Sequence, residues 1–359
     1  MLPNKREQVF LHELLDRWPR NVAQVIQWPA LPSRGEMSHA LKFPQSAKMA
    51  TPASVWYAVP RVPIPAEKQN VSAIVRYTLW SARNMASPRP LRCVPGFFRM
   101  GLSDEPVDEM GEPPMRMGLA DGKAWPDVYA FMRQFERRHP SRRIKLVILL
   151  RHGEATHNAT KARVGERAWE EQYEMRPEFI DAPLTAHGKE QADAAAAMLE
   201  KQIAKCGLKL QRIFVSPLDR TLQTYDRVFA RLRDIPVSVV ELARETLGVV
   251  NCDRRKLMTP KQAAYPRLDF DHVASENDTW WQPDHRETNE EIAARAAEFL
   301  DEVFYKSPES CVLVVSHSGF SRGCFAAVGH RYYRPRNAEF IPLLITDATE
   351  EELQQDTIA

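Results

Sequence analysis

Two short apolar runs in this chain end abruptly on a histidine set among anion-binding groups. The first, Leu146-Val-Ile-Leu-Leu150, passes without a spacer into Arg151, His152, Gly153 and Glu154. The second, Val312-Leu-Val-Val315, passes into Ser316, His317, Ser318 and Gly319. A third run, Ile213-Phe-Val215, leads into Ser216-Pro-Leu-Asp-Arg220-Thr221. An imidazole with an unprotonated nitrogen can attack phosphorus and carry the phosphoryl group as a phosphoramidate. Arginine forks match the equatorial oxygens of that group, and a second imidazole adds a donor as charge develops. The chemistry these residues could do is therefore phosphoryl transfer, with His152 as nucleophile and Arg151, Arg220 and His317 around the phosphate. Asn158, on the loop beyond the first run, can donate an amide hydrogen without adding charge. The leaving oxygen needs an acid. Glu245 follows the run Val237-Ser-Val-Val-Glu-Leu242 and is the candidate, with Glu241 as the neighbour most easily mistaken for it. Arg254 and Arg255, continued by Lys256, read either as a solvated face or as contacts to a second anionic group on the substrate. His157, His187, His272, His285 and His330 lack such settings and read as surface or supporting residues.

These side chains can meet only if the runs are strands of one sheet. Unbroken Leu, Val and Ile without alternation mark strands covered on both faces, and ligands of open α/β sheets sit beyond the carboxyl ends of such strands. Gly153 would let the backbone turn closely around a bound group. Strands are expected near 146–150, 212–215, 237–240, 312–315 and 341–345. Helical patterns occupy roughly 125–138, 187–206, 218–233 and 288–305, with a short one after Gly319. This alternation predicts a three-layer α/β domain, a mainly parallel sheet with helices on both faces. Ser216 and Pro217 read as the start of the 218–233 helix, and Asp181 to Thr185 as a loop that caps the alanine-rich one. The excursion 251–287 has no clear period and is expected to fold over the mouth of the site.

Taken together, R-H-G at 151–153, S-P-L-x-R-T at 216–221 and S-H-S-G at 316–319 resemble the blocks of the histidine phosphatase superfamily, which includes cofactor-dependent phosphoglycerate mutases and many phosphatases. Residues 242–255 and 281–291, with R-H-G-E-A-T-H-N at 151–158, resemble its fungal and plant phosphoglycerate-mutase-like branch. One departure is Val250-Asn251, where that branch often has a histidine. The resemblance implies the phosphoglycerate mutase-like fold and a phosphohistidine formed on His152, without a metal or other cofactor. It also weighs against a mutase, because the insertion with a Trp-Arg-Arg run that encloses a bisphosphorylated sugar acid is missing. The expected function is a metal-independent phosphatase acting on a phosphomonoester, with a phosphomutase as the alternative.

The chain has 359 residues and a net charge of +2 with both signs interspersed, and no basic stripe marks a nucleic-acid surface. Its five cysteines show no zinc-like spacing. No apolar run is long enough to span a bilayer, and no signal peptide opens the chain. A cytoplasmic location is expected, with a mitochondrial one as the alternative. Residues 1–75 stand apart, opening with a helical pattern near Lys5 and then turning Pro-rich, with Trp28, Trp56 and Tyr57. Residues 76–345 form the catalytic domain, and 346–359 an acidic tail expected to fray. The arm motivates a reading of a different class, a subunit of a larger assembly that keeps the phosphatase fold and meets a protein partner through this extension. Against it stands the full set of histidines and arginines, which a scaffold does not need.

Overall fold

The computed structural model describes residues 89–101 and 113–357; the helix near Lys5, the Pro-rich arm and the boundary at 75 lie outside them. Seven strands form one sheet in the order β1-β7-β2-β6-β3-β4-β5. They are β1 (Arg92–Cys93), β2 (Ile144–Arg151), β3 (Arg212–Val215), β4 (Val237–Val240), β5 (Asp269–His272), β6 (Cys311–Ser316) and β7 (Phe340–Thr346). The helices are α1 (Trp125–Arg138), α2 (Thr156–Val164), α3 (Glu166–Gln172), α4 (Ala186–Cys206), α5 (Asp219–Val228), α6 (Met258–Ala264), α7 (Asn289–Asp301), α8 (Ser318–Ala327) and α9 (Glu350–Thr357). From β2 to β5 all neighbours run parallel, while β7 is antiparallel to both β2 and β1. This is the mainly parallel sheet that the alternation of elements predicts, with an antiparallel margin.

Every residue of β2 is buried, because side chains of alternate parity enter two different cores. Leu146, Ile148 and Leu150 join Ile213, Val215, Leu313 and Val315 under α1, α4 and α5, through Trp125, Phe135, Leu199 and Leu222. Val147 and Leu149 join Val312 and Val314 on the opposite face, against Phe299 and Leu300 of α7 and Phe320 of α8. Each such side chain contributes about 1.5–3 kcal/mol by burial. A one-residue slip of β2 would exchange the two faces, so its register is strongly specified. That register sets Arg151 opposite Ser316 and Val215 opposite Val315. The three strands end level, and Ser216, His152 and His317 leave the sheet side by side.

Several local expectations are corrected. The helix expected over 218–233, α5, starts at Asp219 rather than at Pro217 behind a Ser216 cap, because the Asp181 carboxylate comes in from a distant loop and accepts from Asp219 N at 2.6 Å. It also stops at Val228, short of residue 233. The loop before α4 does cap that helix, with Thr185 accepting from Gly188 N. The excursion 251–287 contains α6 and the edge strand β5. The acidic tail does not fray at once. It forms α9, held by buried Leu353 and by the 2.9 Å pair of Glu352 with Arg142, and its acidic first turn suits a helix amino terminus.

Candidate active site

His152 leaves β2 with its backbone N–H bonded to Ser316 O of β6 at 3.0 Å. Its ring Nδ1 lies 2.7 Å from Gly153 O. A carbonyl oxygen can only accept, so Nδ1 carries the hydrogen and Nε2 keeps its lone pair. That lone pair faces Arg220 Nε at 3.2 Å. Burial, and then the charges of Arg220 and Arg151, hold this imidazole well below its usual range, so it is neutral near pH 7. The His317 ring stands 5.1 Å away, centroid to centroid, in an edge-on arrangement. Its Nε2 is 2.8 Å from Ser216 Oγ, and its Nδ1 is buried without a hydrogen-bond partner. Burial and Arg220 lower its basicity as well.

Arg220 projects from the first turn of α5 and is fully buried. Its Nη1 donates to Cys252 O at 2.6 Å and its Nη2 to Asp253 Oδ1 at 3.0 Å. The other Asp253 oxygen accepts from Arg286 Nη1 at 2.7 Å, so one carboxylate ties two guanidiniums together. Arg151 donates from Nη1 to Pro335 O at 2.7 Å, and its buried Nε has no partner. Burial pulls it down to about 10, with Glu245 pulling the other way, and it stays cationic. Asn158, in α2, accepts from Ala155 N at 3.1 Å through Oδ1. Arg151 and Asn158 line a cavity of about 930 Å³ together with Lys161, Gln191 and Arg334. Neither His152 nor His317 lines that cavity.

Glu245 accepts from Thr246 N at 2.9 Å and from Ser318 Oγ at 3.3 Å. Its carboxyl rests on Gly319, where a Cβ would overlap Glu245 Oε1 and Thr246 Oγ1; the glycine of the second histidine block is there to admit this acid. Gly153 also meets a close approach of backbone. The first turn of α4 packs against it, and a Cβ would overlap the Gly188 carbonyl oxygen. Glu241 is buried in the turn after β4 and pairs with Arg244 at 3.1 Å and Arg255 at 3.0 Å.

The two rim arginines part company. Arg254 is exposed and lies over the Trp281 ring, 5.0 Å from its centroid. Arg255 is buried, contrary to the expectation that it reaches substrate. Its Nε donates to Glu241, its Nη1 to the carbonyls of Lys256 and Glu276, and its Nη2 to those of Ser275 and Asn277. All five guanidinium N–H groups are thereby occupied. Three residues of the site escaped sequence reasoning. Asp253 and Arg286 stand in conspicuous C-D and H-R-E words, but no local pattern shows that they bridge to Arg220. His157 passed for a supporting residue, yet its ring lies 6.1 Å from that of His152, with Nδ1 buried and unpartnered. Among the described residues no cluster of His, Cys, Asp or Glu could hold a metal ion, and no helix is long and apolar enough to cross a membrane.

A neutral imidazole nitrogen ringed by guanidiniums and a second imidazole, with a carboxyl close by, is an arrangement for phosphoryl groups. Residues 147–337 match the histidine phosphatase superfamily (branch 1). The chain belongs to that superfamily. Among its relatives there, a "Probable phosphoglycerate mutase" of Arthroderma benhamiae is 31% identical over 240 residues, which cover 62% of this chain and 71% of that one. "Phosphoglycerate mutase-like protein 1" of Arabidopsis thaliana is 33% identical over 211 residues, covering 51% and 71%. These are the fungal and plant phosphoglycerate-mutase-like proteins that residues 242–255 and 281–291 resemble. A solved structure, that of the mycobacterial glucosyl-3-phosphoglycerate phosphatase, is 22% identical with a TM-score of 0.36, covering 56% of this chain and 91% of that one.

Proposed function

We propose that this protein is a metal-independent phosphatase that hydrolyses a phosphomonoester through a phosphohistidine on His152. One observation carries the reading: the Gly153 carbonyl fixes the Nδ1–H tautomer of a buried, neutral His152, so a lone pair on Nε2 is available among cations. The incoming phosphoryl group takes the place between Nε2 and Arg220. Nε2 attacks phosphorus while the bond to the leaving oxygen breaks, and Glu245 gives that oxygen its proton. Arg151, Arg220 and His317 hold the equatorial oxygens, and Asn158 adds an uncharged donor. The Nδ1–H bond to Gly153 O steadies the charge that the phosphorylated ring acquires. Water then attacks phosphorus, passing its proton to a phosphoryl oxygen, and Nε2 departs with its electron pair. Arg254 remains a candidate contact to the alcohol part of the substrate.

A phosphomutase is the second reading, favoured by the names of the fungal and plant relatives. It would pass the phosphoryl group to a second hydroxyl instead of to water. Quenching a slow substrate in base should trap acid-labile phosphate on His152, and His152→Ala should abolish turnover while the thermal melt stays near that of the wild type. Activity should persist in EDTA. Phosphate trapped on serine or aspartate would overturn the mechanism. Release of inorganic phosphate without transfer to added hydroxy acids would separate phosphatase from mutase.

A further inference from the structure

The segment that carries Glu245 leaves β4 at Val240 and makes only the single turn Glu241–Ala243 before running on as irregular chain. One side chain on α7 holds three of its carbonyls. Arg295 Nε donates to Glu287 Oε1 at 2.8 Å, and Nη1 donates to Leu242 O at 2.7 Å and to Arg244 O at 2.9 Å. Nη2 donates to Glu245 O at 3.0 Å and to Glu287 Oε2 at 2.6 Å. All five N–H groups of this guanidinium are thus matched by acceptors, three of them carbonyls of the segment ending at Glu245. Glu287 completes the loop. Its backbone N donates to Leu247 O at 2.9 Å, and its Oε2 accepts from Leu247 N at 2.7 Å. Both side chains are largely buried, at 7% and 10% exposure. The Gly319 floor and the Thr246 N–H then leave the carboxyl of Glu245 one direction to take.

A buried ion pair is weak evidence for stability, since desolvation offsets much of its attraction. A pair whose remaining donors converge on the backbone of one irregular segment has a different use. We infer that Arg295 and Glu287 are positioning residues that hold Glu245 against the leaving oxygen. The pair touches no reacting atom. It acts by fixing the carbonyls on either side of Glu245, and a lysine, with a single nitrogen, cannot reach these acceptors together. The inference rests on the reading of Glu245 as the leaving-group acid.

The test compares kcat and KM of the full chain on β-glycerophosphate, whose alkoxide needs a proton, and on p-nitrophenyl phosphate, whose phenolate does not. Arg295→Lys should lower kcat on β-glycerophosphate by about 10²-fold, the scale of a misplaced catalytic group. It should change p-nitrophenyl phosphate turnover by no more than a few-fold and leave KM for both nearly constant. Adding Arg295→Lys to Glu245→Gln should bring little further loss, because the acid it positions is already gone. Glu287→Gln, which keeps the volume and backbone contact, should show the same selectivity to a smaller degree and serves if Arg295→Lys does not fold. Equal losses on both substrates, or full additivity with a Glu245→Gln that is itself selective, would overturn the positioning role alone. A Glu245→Gln variant without leaving-group selectivity would overturn the acid assignment, and the inference with it.

Discussion

Glu241 and Glu245 differ by one turn of chain and not at all in chemistry, so the different work proposed for them rests on their surroundings alone. Glu245→Gln should slow alkyl phosphates by roughly 10²–10⁴-fold, as for other general acids, and p-nitrophenyl phosphate much less. Glu241→Gln would leave Arg244 and Arg255 facing a neutral amide inside the protein. We expect it to cost about 3 kcal/mol in denaturant unfolding with no dependence on the leaving group; selectivity in that variant would exchange the two roles. A second expectation concerns the nucleophile. The ring of His152 is held below 6.5 by burial and by its arginine neighbours, so its Cε1–H resonance should stay flat between about pH 6 and 8. A midpoint near the ordinary imidazole value would show that water reaches the ring freely. Of the candidate site, the motif residues Arg151, His152 and His317 were legible in the sequence because strand ends deliver them directly, and Arg220 because it opens the helix that follows a strand. Arg255 and Arg286 were not. Whether a guanidinium is free or occupied depends on carbonyls and carboxylates that only the folded chain brings near it.

At the scale of elements, the segments around the mouth are organised by Asp278, which accepts from Arg244 through both oxygens, at 2.7 and 2.6 Å, and from Arg255 N at 2.7 Å. Burial alone would raise this carboxyl, but the Arg244 pair and the backbone donors reverse that and bring it to about 2, against an ordinary 3.8. A carboxyl depressed in the folded state stabilises above its unfolded value and loses that contribution as pH falls through the folded one. The difference is worth about 2 kcal/mol, present above roughly pH 4 and gone near pH 2. Asp278→Asn should therefore lower the urea midpoint most at neutral pH, with the gap to the wild type closing between pH 4 and 2; a gap independent of pH would mean that the charge contributes nothing. The same scale shows what the sequence could announce. β2 and β6 were readable because burial on both faces demands unbroken apolar residues. β5, with Asp269 and His272 exposed at the sheet edge, has no such demand and left no pattern. The start of α5 was misplaced because its cap comes from Asp181, far away in the chain.

Across the whole molecule, the order of strands along the sheet departs from the order in which they are synthesised. β2, which delivers Arg151 and His152, has β6 on one side and β7 on the other. Both partners come from the last sixth of the sequence, with Leu146 paired to Cys311 and Ile144 to Thr346. A growing chain thus emerges with this apolar strand and the proposed nucleophile His152 already made and neither strand partner yet synthesised. β1 is in the same position, since β7 is its only neighbour among the described residues. Such distant pairing makes folding slow and leaves an exposed strand prone to aggregation. A chain cut after Ala338, which lacks β7 but retains every residue of the catalytic constellation, should be insoluble and inactive, and a separately supplied peptide spanning residues 339–359 should restore part of the activity when present during refolding. Soluble, active protein from the truncated chain alone would refute this. While the ribosome is still at work, then, a nascent β2 is the strand most in need of shielding, and the candidate site takes shape only when β7 slides in beside the strand that carries His152.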